Sequence, residues 1–441
     1  MPETIQAYIQ SVEDQIRWKR ARGVVSLELR RHLEDQRDAF TAEGREDPER
    51  LAVEEMGDPV AVGTELDRLH RPRPQWGPLG LTVALACAGA FLRVRLTWGD
   101  GLDAVSPAMT LLALVLGTAA LLGMYFLDFT SLARHPRAIY GAALTAGLLA
   151  MRLTPEIHYA SYYTRYIVLL YPVVYALWLY SCRGSTWGQF LLAVAGGIPL
   201  ALICLLAPCL SGLALLLVCG LVLLLCAARM GWFGPGRWRF AGAALALAAG
   251  IAAAYGQYFV IRLRLALHPE IDPLGAGFRG QVVRRLLEEL SPVRESASPA
   301  AVREELLGYL GNEWLLLKLS AEWGWLAGLL LMAAIVVLLV WLLVRTLRQR
   351  QQLGRLVALA VVLSLGLETL FSAALNLGFV LFPAHLPLVV GNLHTVIDMA
   401  LIGLALSVFR GERVLRDEMA GEGRPLFPWR IKISVISTKE T

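Results

Sequence analysis

A polar stretch, residues 261–324, is the longest polar interval between the apolar spans and contains both carboxylates and several arginines. A carboxylate can act as a general base, and guanidinium groups can hold a phosphate or pyrophosphate through paired hydrogen bonds. Glu313 is the candidate base, because the stretch enters an apolar span directly after it. The candidate cations are Arg262, Arg264, Arg279 and Arg284. The structural alternative is that these charges only mark the ends of membrane spans.

The segment DPLGAG, residues 272–277, is a Pro/Gly turn inside that stretch. Glycine lets the backbone come close to a phosphate or adopt a positive φ. Asp272, Gly275 and Gly277 are therefore candidates for substrate binding. A turn of this kind more often fixes the fold of its own loop, and we favour that role.

A second constellation lies within apolar spans: Glu368, His394 and Asp398. His394 and Asp398 are four residues apart and so share one helix face. Ionisable groups inside a membrane usually face a cavity or each other. The group predicts a proton or ion site, a groove for lipid headgroups, or a hydrogen-bonded clasp between helices. We find no zinc spacing and no nucleotide-binding loop, so neither a metal nor a cofactor is predicted.

The composition is that of a polytopic membrane protein. Of 441 residues, 56% are hydrophobic and 17% charged, and the mean hydropathy is +0.54, which is too apolar for a soluble domain. The net charge of +5 does not indicate nucleic-acid binding, because the basic residues are spread over short loops. The six cysteines lie in or beside apolar runs and are predicted to be packing residues.

The first 72 residues are predicted to form a small helical domain. Apolar residues recur at helical spacing in two long stretches, and two short helices follow. Asp47 is a suitable N-cap for the third helix, with Pro48 at its first position. The N-terminal stretch is charged and precedes every apolar run, which predicts that this domain stays on the side of the membrane where it is synthesised.

Ten membrane spans are predicted, since a spanning helix needs about 20 apolar residues. Every second connection between them is basic, which puts the N-terminus in the cytoplasm and the loop of about 258–323 outside. Residues 411–441 are then a cytoplasmic tail. Arg93 and Arg95 break the pattern and are expected to extend towards the interface. The predicted spans are residues 77–97, 106–128, 138–153, 165–181, 187–206, 210–228, 239–257, 324–344, 356–377 and 386–409.

Several segments of this chain resemble the SEDS family of bacterial cell-wall proteins, which includes FtsW, RodA and SpoVE. The segments are HPEIDPLGAGFRGQ at 268–281, GNEWLLLKLSAEWG at 311–324, LGR at 353–355, NLG at 376–378 and LPLVVGNLHTVIDMALIG at 386–403. The resemblance implies a ten-helix membrane domain over residues 73–410 that polymerises lipid II. It aligns Glu313 with the family's catalytic aspartate.

Residues 28–36 and 56–72 resemble the permease prefix domain found ahead of bacterial membrane proteins. This second resemblance implies a cytoplasmic appendage for regulation or partner contact. The alternative is a solvated helical cap with no partner.

Other family landmarks are altered. A Glu and a Lys of the family fall near Arg165 and Val168, an acidic motif has become APCLSG at 207–212, and SYGGS has become VGNLH at 390–394. These changes leave the expected fold intact and put the activity in doubt.

The resemblance implies a lipid II-polymerising glycosyltransferase of wall assembly, division, shape or sporulation, active or inactive. It would lie in the bacterial cytoplasmic membrane, in contact with membrane lipids and a transpeptidase of the class B penicillin-binding proteins. The alternatives are a non-catalytic scaffold or regulator of wall synthesis, and a permease.

Overall fold

A computed structural model describes residues 4–70, 74–97, 106–153, 156–157, 160–161, 163–184, 186–293 and 305–411. The predicted tail after residue 411 lies outside the described residues. The described chain divides into two compact units. One contains the residues up to 129 and those from 258 onwards, and the other contains residues 130–257.

The N-terminal region folds as four helices, in agreement with the apolar spacing: α1 (Ile5–Gln15), α2 (Lys19–Ala42), α3 (Pro48–Met56) and α4 (Pro59–His70). Tyr8, Val12 and Leu33 are buried in their shared core. The assignment of these helices to a permease prefix domain stays a prediction.

The start of α3 differs from expectation in one detail. Asp47 occupies the N-cap of α3 but has a left-handed backbone, and its side chain makes no cap hydrogen bond. Its carboxylate accepts instead from Arg50 at 3.2 Å. Asp58 is a working cap, since its Oδ2 accepts the N–H of Ala61 at 3.1 Å. The predicted start of α3, with Asp47 at the N-cap and Pro48 at the first helical position, is confirmed, whereas the side-chain cap hydrogen bond is absent.

Seven segments of the described chain are long and apolar enough to cross a membrane, so this is a multi-pass membrane protein. They are Trp76–Leu96, Pro107–Phe126, Trp187–Leu206, Leu210–Arg229, Trp325–Arg348, Gln352–Asn376 and Asn392–Arg410. Each corresponds to one of the ten predicted spans.

The remaining three predicted spans are helical but do not meet the same criteria of length and hydropathy. Residues 138–153 lie in Pro136–Leu153, residues 165–181 are split into Thr164–Val168 and Tyr171–Ser181, and residues 239–257 lie in Arg237–Leu267. The predicted count of ten spans is therefore not confirmed. The described residues are otherwise helical, apart from one two-stranded hairpin, Glu156–Ile157 with Ala160–Ser161.

The unit formed by residues 130–257 has its own aromatic core. Phe190, Phe233 and Phe240 contact one another with ring centroids 5.3–5.8 Å apart. The apolar segment 187–206 consists of two consecutive helices, Trp187–Ala195 and Gly197–Leu206, which meet at Gly196. A Cβ on Gly196 would lie 2.0 Å from the indole nitrogen of Trp178, so only glycine fits there.

The other unit contains the membrane helices that matter for the site, which we label α5 (Trp76–Thr97), α6 (Pro107–Phe126), α17 (Trp325–Arg348), α18 (Gln352–Asn376) and α19 (Asn392–Arg410). The helices between α6 and Arg237–Leu267 are, in chain order, α7 (Phe129–Arg134), α8 (Pro136–Leu153), α9 (Thr164–Val168), α10 (Tyr171–Ser181), α11 (Trp187–Ala195), α12 (Gly197–Leu206) and α13 (Leu210–Arg229). The backbones of α6 and α19 lie close together at Gly403. A Cβ on this residue would lie 2.4 Å from the carbonyl oxygen of Leu121. Small residues permit such backbone contact between membrane helices.

The described part of the predicted long loop is itself largely helical. The helix Arg237–Leu267, α14, continues ten residues beyond 257 before a 3₁₀ turn at Pro269–Ile271. Helix α15 (Phe278–Glu288) follows, then a 3₁₀ turn at Asn312–Trp314 and helix α16 (Leu315–Trp323). Val283, Leu286 and Trp314 are buried in a core between α15, this turn and the end of α18. This core fixes the position of the turn that carries Glu313.

Candidate functional site

Glu313 lies in the 3₁₀ turn Asn312–Trp314, which leads directly into α16. Its side chain is half-buried. The carboxylate folds back towards Gly311, where a Cβ would lie 2.6 Å from Oε2. The neighbouring Trp314 is buried, so the turn is anchored by its indole while the carboxylate stays partly open to solvent.

Asn376, the last residue of α18, holds this turn in place. Its Oδ1 accepts the N–H of Leu317 at 3.0 Å. Its Nδ2 donates to the carbonyl of Glu313 at 3.3 Å and to that of Ser372 at 2.8 Å. The Asn376 side chain is buried. The sequence showed this asparagine only as part of an NLG motif and did not reveal its role.

The four candidate arginines do not converge on one point. Arg279 is exposed on α15, and its guanidinium lies 5.5 Å from the centre of the Trp314 ring, beside the Glu313 turn. Arg284 donates to the carbonyls of Ala266 and Leu267 at 2.9 and 2.8 Å, so its side chain caps the carboxyl end of α14.

Arg262 donates to the carbonyl of Leu381 at 3.3 Å. Arg264 is exposed in the last turn of α14. Of the four arginines, Arg279 is therefore the one that the structure brings beside the Glu313 turn.

The DPLGAG turn is built by its own contacts. Asp272 Oδ2 accepts the N–H of Ala276 at 2.8 Å. A Cβ on Gly277 would lie 2.0 Å from the carbonyl oxygen of Pro269, and one on Gly275 would lie 2.4 Å from Asp272 Oδ2. These glycines are required by close packing within the turn, and a role in substrate binding stays a prediction.

The structure brings together the second predicted constellation. His394 Nε2 lies 3.2 Å from Glu368 Oε1, between α19 and α18, and both side chains are buried. Asp398 is fully buried, and its Oδ2 accepts the N–H of Leu388 at 2.9 Å. His385, which we had not singled out in the sequence, stacks on His394 with ring centroids 4.3 Å apart.

Arg93 differs from its prediction. It was expected to extend towards the interface, yet it is buried and donates to Thr110 at 3.1 Å and to Asn392. It thereby links α5, α6 and the start of α19. Arg95 is exposed and pairs with Glu322 at 3.3 Å. The available signal in the sequence was an arginine within an apolar run. A buried charged side chain needs hydrogen-bond partners, so such a residue is expected to contact polar groups on neighbouring helices.

No family model and no curated protein matches the sequence. Solved structures do. A structure described as "Structural coordination of polymerization and crosslinking by a peptidoglycan synthase complex" aligns over 76% of this chain and 97% of its own, with a TM-score of 0.58 and 21% identity. The rod shape determining protein RodA of Thermus thermophilus aligns over 77% of this chain and 97% of its own, with a TM-score of 0.51 and 18% identity. A point mutant of the same RodA gives a TM-score of 0.52.

This chain has a RodA-like fold. The alignments cover nearly the whole of each RodA-like chain, so the likeness extends over the complete membrane architecture rather than a few helices. The SEDS-like fold expected from the motifs is confirmed.

Proposed function

We propose that this chain acts in bacterial peptidoglycan assembly as a RodA-like protein of the cytoplasmic membrane, with Glu313 as the catalytic base. The N-terminus and residues 1–72, as a prefix-like domain, would lie in the cytoplasm. The membrane domain would extend over residues 73–410. The observation that carries the proposal is the placement of Glu313, half-buried at the entry to α16 and held by Asn376, within a RodA-like fold.

In the proposed reaction, Glu313 accepts the proton of a sugar hydroxyl on one lipid-linked precursor. The hydroxyl oxygen then forms a bond to the anomeric carbon of a second precursor as the bond to its pyrophosphate breaks. The pyrophosphate leaves with the electron pair and needs positive charge nearby. Arg279 supplies it beside Trp314.

The proposed partner is a transpeptidase of the class B penicillin-binding proteins. The support is that one similar structure is described as a peptidoglycan synthase complex that couples polymerization and crosslinking. Lipid II is the proposed substrate and membrane lipids are the proposed surroundings.

A non-catalytic scaffold of wall synthesis is the second candidate. Arg165 and Val168, the segment 207–212 and the segment 390–394 depart from the family pattern at positions that carry polar side chains elsewhere. A permease is the third candidate, favoured by the buried contact between Glu368 and His394.

The deciding experiment measures glycan strands made from lipid II by the purified full-length chain, with and without a transpeptidase partner. Glu313→Gln keeps the shape and removes the base. Glu288→Gln, an exposed acid on α15, is the matched control. Polymer from wild type and Glu288→Gln but not from Glu313→Gln supports the proposal.

Polymer from all three proteins refutes the role of Glu313. An absence of polymer in every condition, with the partner bound in a pull-down, favours the scaffold. Ion-dependent uptake into vesicles that Glu368→Gln abolishes favours the permease.

A further inference from the structure

A group of titratable side chains is buried between α18 and α19, away from the Glu313 turn. Glu368 and His394 are in contact at 3.2 Å, with side-chain exposures of 8% and 2%. Asp398 lies one helical turn beyond His394, is fully buried, and is near enough to Glu368 for two ionised carboxylates to repel. None of these groups takes part in the proposed sugar transfer, so their presence needs a separate explanation.

The bonding of Asp398 leaves one oxygen open. Oδ2 accepts the N–H of Leu388, whereas Oδ1 is buried and has no hydrogen-bond partner among the described residues. A buried carboxylate oxygen without a donor is costly. A proton on that oxygen removes the charge and most of the cost.

Charge balance limits how many protons the group holds. A low-dielectric site favours a state with no net charge. With Asp398 protonated, that state has either a protonated His394 and an ionised Glu368, or a neutral His394 and a protonated Glu368. The two forms differ by one proton moving along the hydrogen bond between Nε2 and Oε1. The geometry is thus suited to holding a proton that can move.

A metal ion does not suit this group. Among the described residues, no three His, Cys, Asp or Glu side chains are placed to hold one. The contact between Glu368 and His394 can instead hold a proton.

His385 connects the group to the surface. It is half-buried in the connection between α18 and α19, and its ring stacks on His394 at 4.3 Å with an interplanar angle of 26°. Two imidazolium rings at this distance would repel, so the stack disfavours a state in which both rings are protonated. His385 is in contact with both His394 and solvent, so it can take up a proton from water next to the buried group.

The surrounding helices bring few other charges. Helix α6 contains no Asp, Glu, Lys, Arg or His. The charged residues of α17 are Arg345 and Arg348 in its last turn, and Arg93 from α5 contacts Asn392 at the start of α19. On α18 and α19 themselves, Arg355 and Arg410 lie towards the opposite ends of the helices from the buried group, and the 3₁₀ turn packed against α18 contributes Glu313.

We propose that Glu368, His394 and Asp398 form a proton-binding site inside the membrane domain, and that His385 is its route to the surface. This assignment is independent of the proposed sugar transfer. It predicts a carboxylic acid that stays protonated inside the protein and whose hydrogen bonding responds to pH.

Infrared difference spectroscopy tests this directly, because a protonated carboxyl has a C=O band that a carboxylate lacks. The full-length protein in lipid nanodiscs is compared between about pH 5 and about pH 8, the range in which imidazoles titrate. We expect a carboxylic-acid band in the wild-type difference spectrum. Glu368→Gln and Asp398→Asn should each remove or shift it, whereas Glu322→Gln, a half-buried acid paired with Arg95, should leave it unchanged.

Gel filtration establishes which variants are folded, and if Asp398→Asn is not, Glu368→Gln decides alone. A wild-type spectrum without the band, or a band whose position and amplitude are unchanged in Glu368→Gln, overturns the proposal. His385→Gln tests the route: after a pH jump, the band should reach the same amplitude more slowly. An unchanged rate would refute the role of His385.

Discussion

Asn376 donates its side-chain amide to the backbone carbonyl of Glu313 at 3.3 Å, across 63 residues of sequence. The same side chain accepts the N–H of Leu317 at the start of α16. A buried asparagine at the end of a membrane helix thus holds the turn that carries the candidate base. The position of Glu313 therefore depends on the position of α18.

Asn376→Ala should destabilise this turn. Loss of the side chain leaves the buried N–H of Leu317 without a partner, which costs about 1–3 kcal/mol. We expect a lower unfolding temperature in detergent and, if Glu313 is the base, a lower rate of polymer formation. Ser364→Ala, on the same helix, is the control, because among the described residues that hydroxyl bonds to nothing but the carbonyl of Ala360 in its own helix. Equal unfolding temperatures for Asn376→Ala and wild type would contradict the role of Asn376.

Gly277→Ala should disrupt the DPLGAG turn. The added Cβ would lie 2.0 Å from the carbonyl oxygen of Pro269 and 2.7 Å from that of Asp272. Overpacking of this kind costs about 1–3 kcal/mol. Limited proteolysis should show faster cleavage between α14 and α15. Gly366→Ala, where no atom lies within 4 Å, should cleave at the wild-type rate.

Gly403→Ala should separate α6 from α19. Its Cβ would meet the backbone of Leu121 at 2.4 Å, and a backbone cannot move aside as a flexible side chain can. We expect a reduced yield of monodisperse protein in gel filtration. Gly123→Ala on α6, with no atom within 4 Å, serves as the comparison. Similar yields for the two variants would show that the close approach does not matter.

Arg93→Met should be more harmful than Arg95→Met. Arg93 is buried and donates to Thr110 and Asn392, and hydrogen bonds to a charged group contribute about 1.5–3 kcal/mol. Arg95 is 59% exposed in its pair with Glu322, and exposed pairs contribute about 0–1 kcal/mol. Thermal unfolding of both variants measures the difference. The reverse order would indicate that Arg93 is not a structural link.

The existence of the membrane helices followed from the sequence, because a run of about 20 apolar residues is a local property. Their ends were less predictable. The last span was expected from residue 386, yet α19 begins at Asn392, because residues 386–391 form a turn that donates the N–H of Leu388 to Asp398. The sequence did not predict that the span 165–181 is broken at Leu169 and Leu170, because the apolar run continues through these residues.

Sequence alone therefore determined the class of protein and the residue types available for chemistry, through composition, helical spacing and a set of motifs. It did not determine which residues meet. Glu368 and His394 are 26 residues apart, and Arg93 and Asn392 are 299 apart. Apolar periodicity specifies that a helix forms and which face is apolar, whereas contacts between helices depend on how close their backbones come, as at Gly403 and Leu121. Tertiary packing therefore decided that Asn376 holds Glu313 and that a protonatable group is enclosed between α18 and α19.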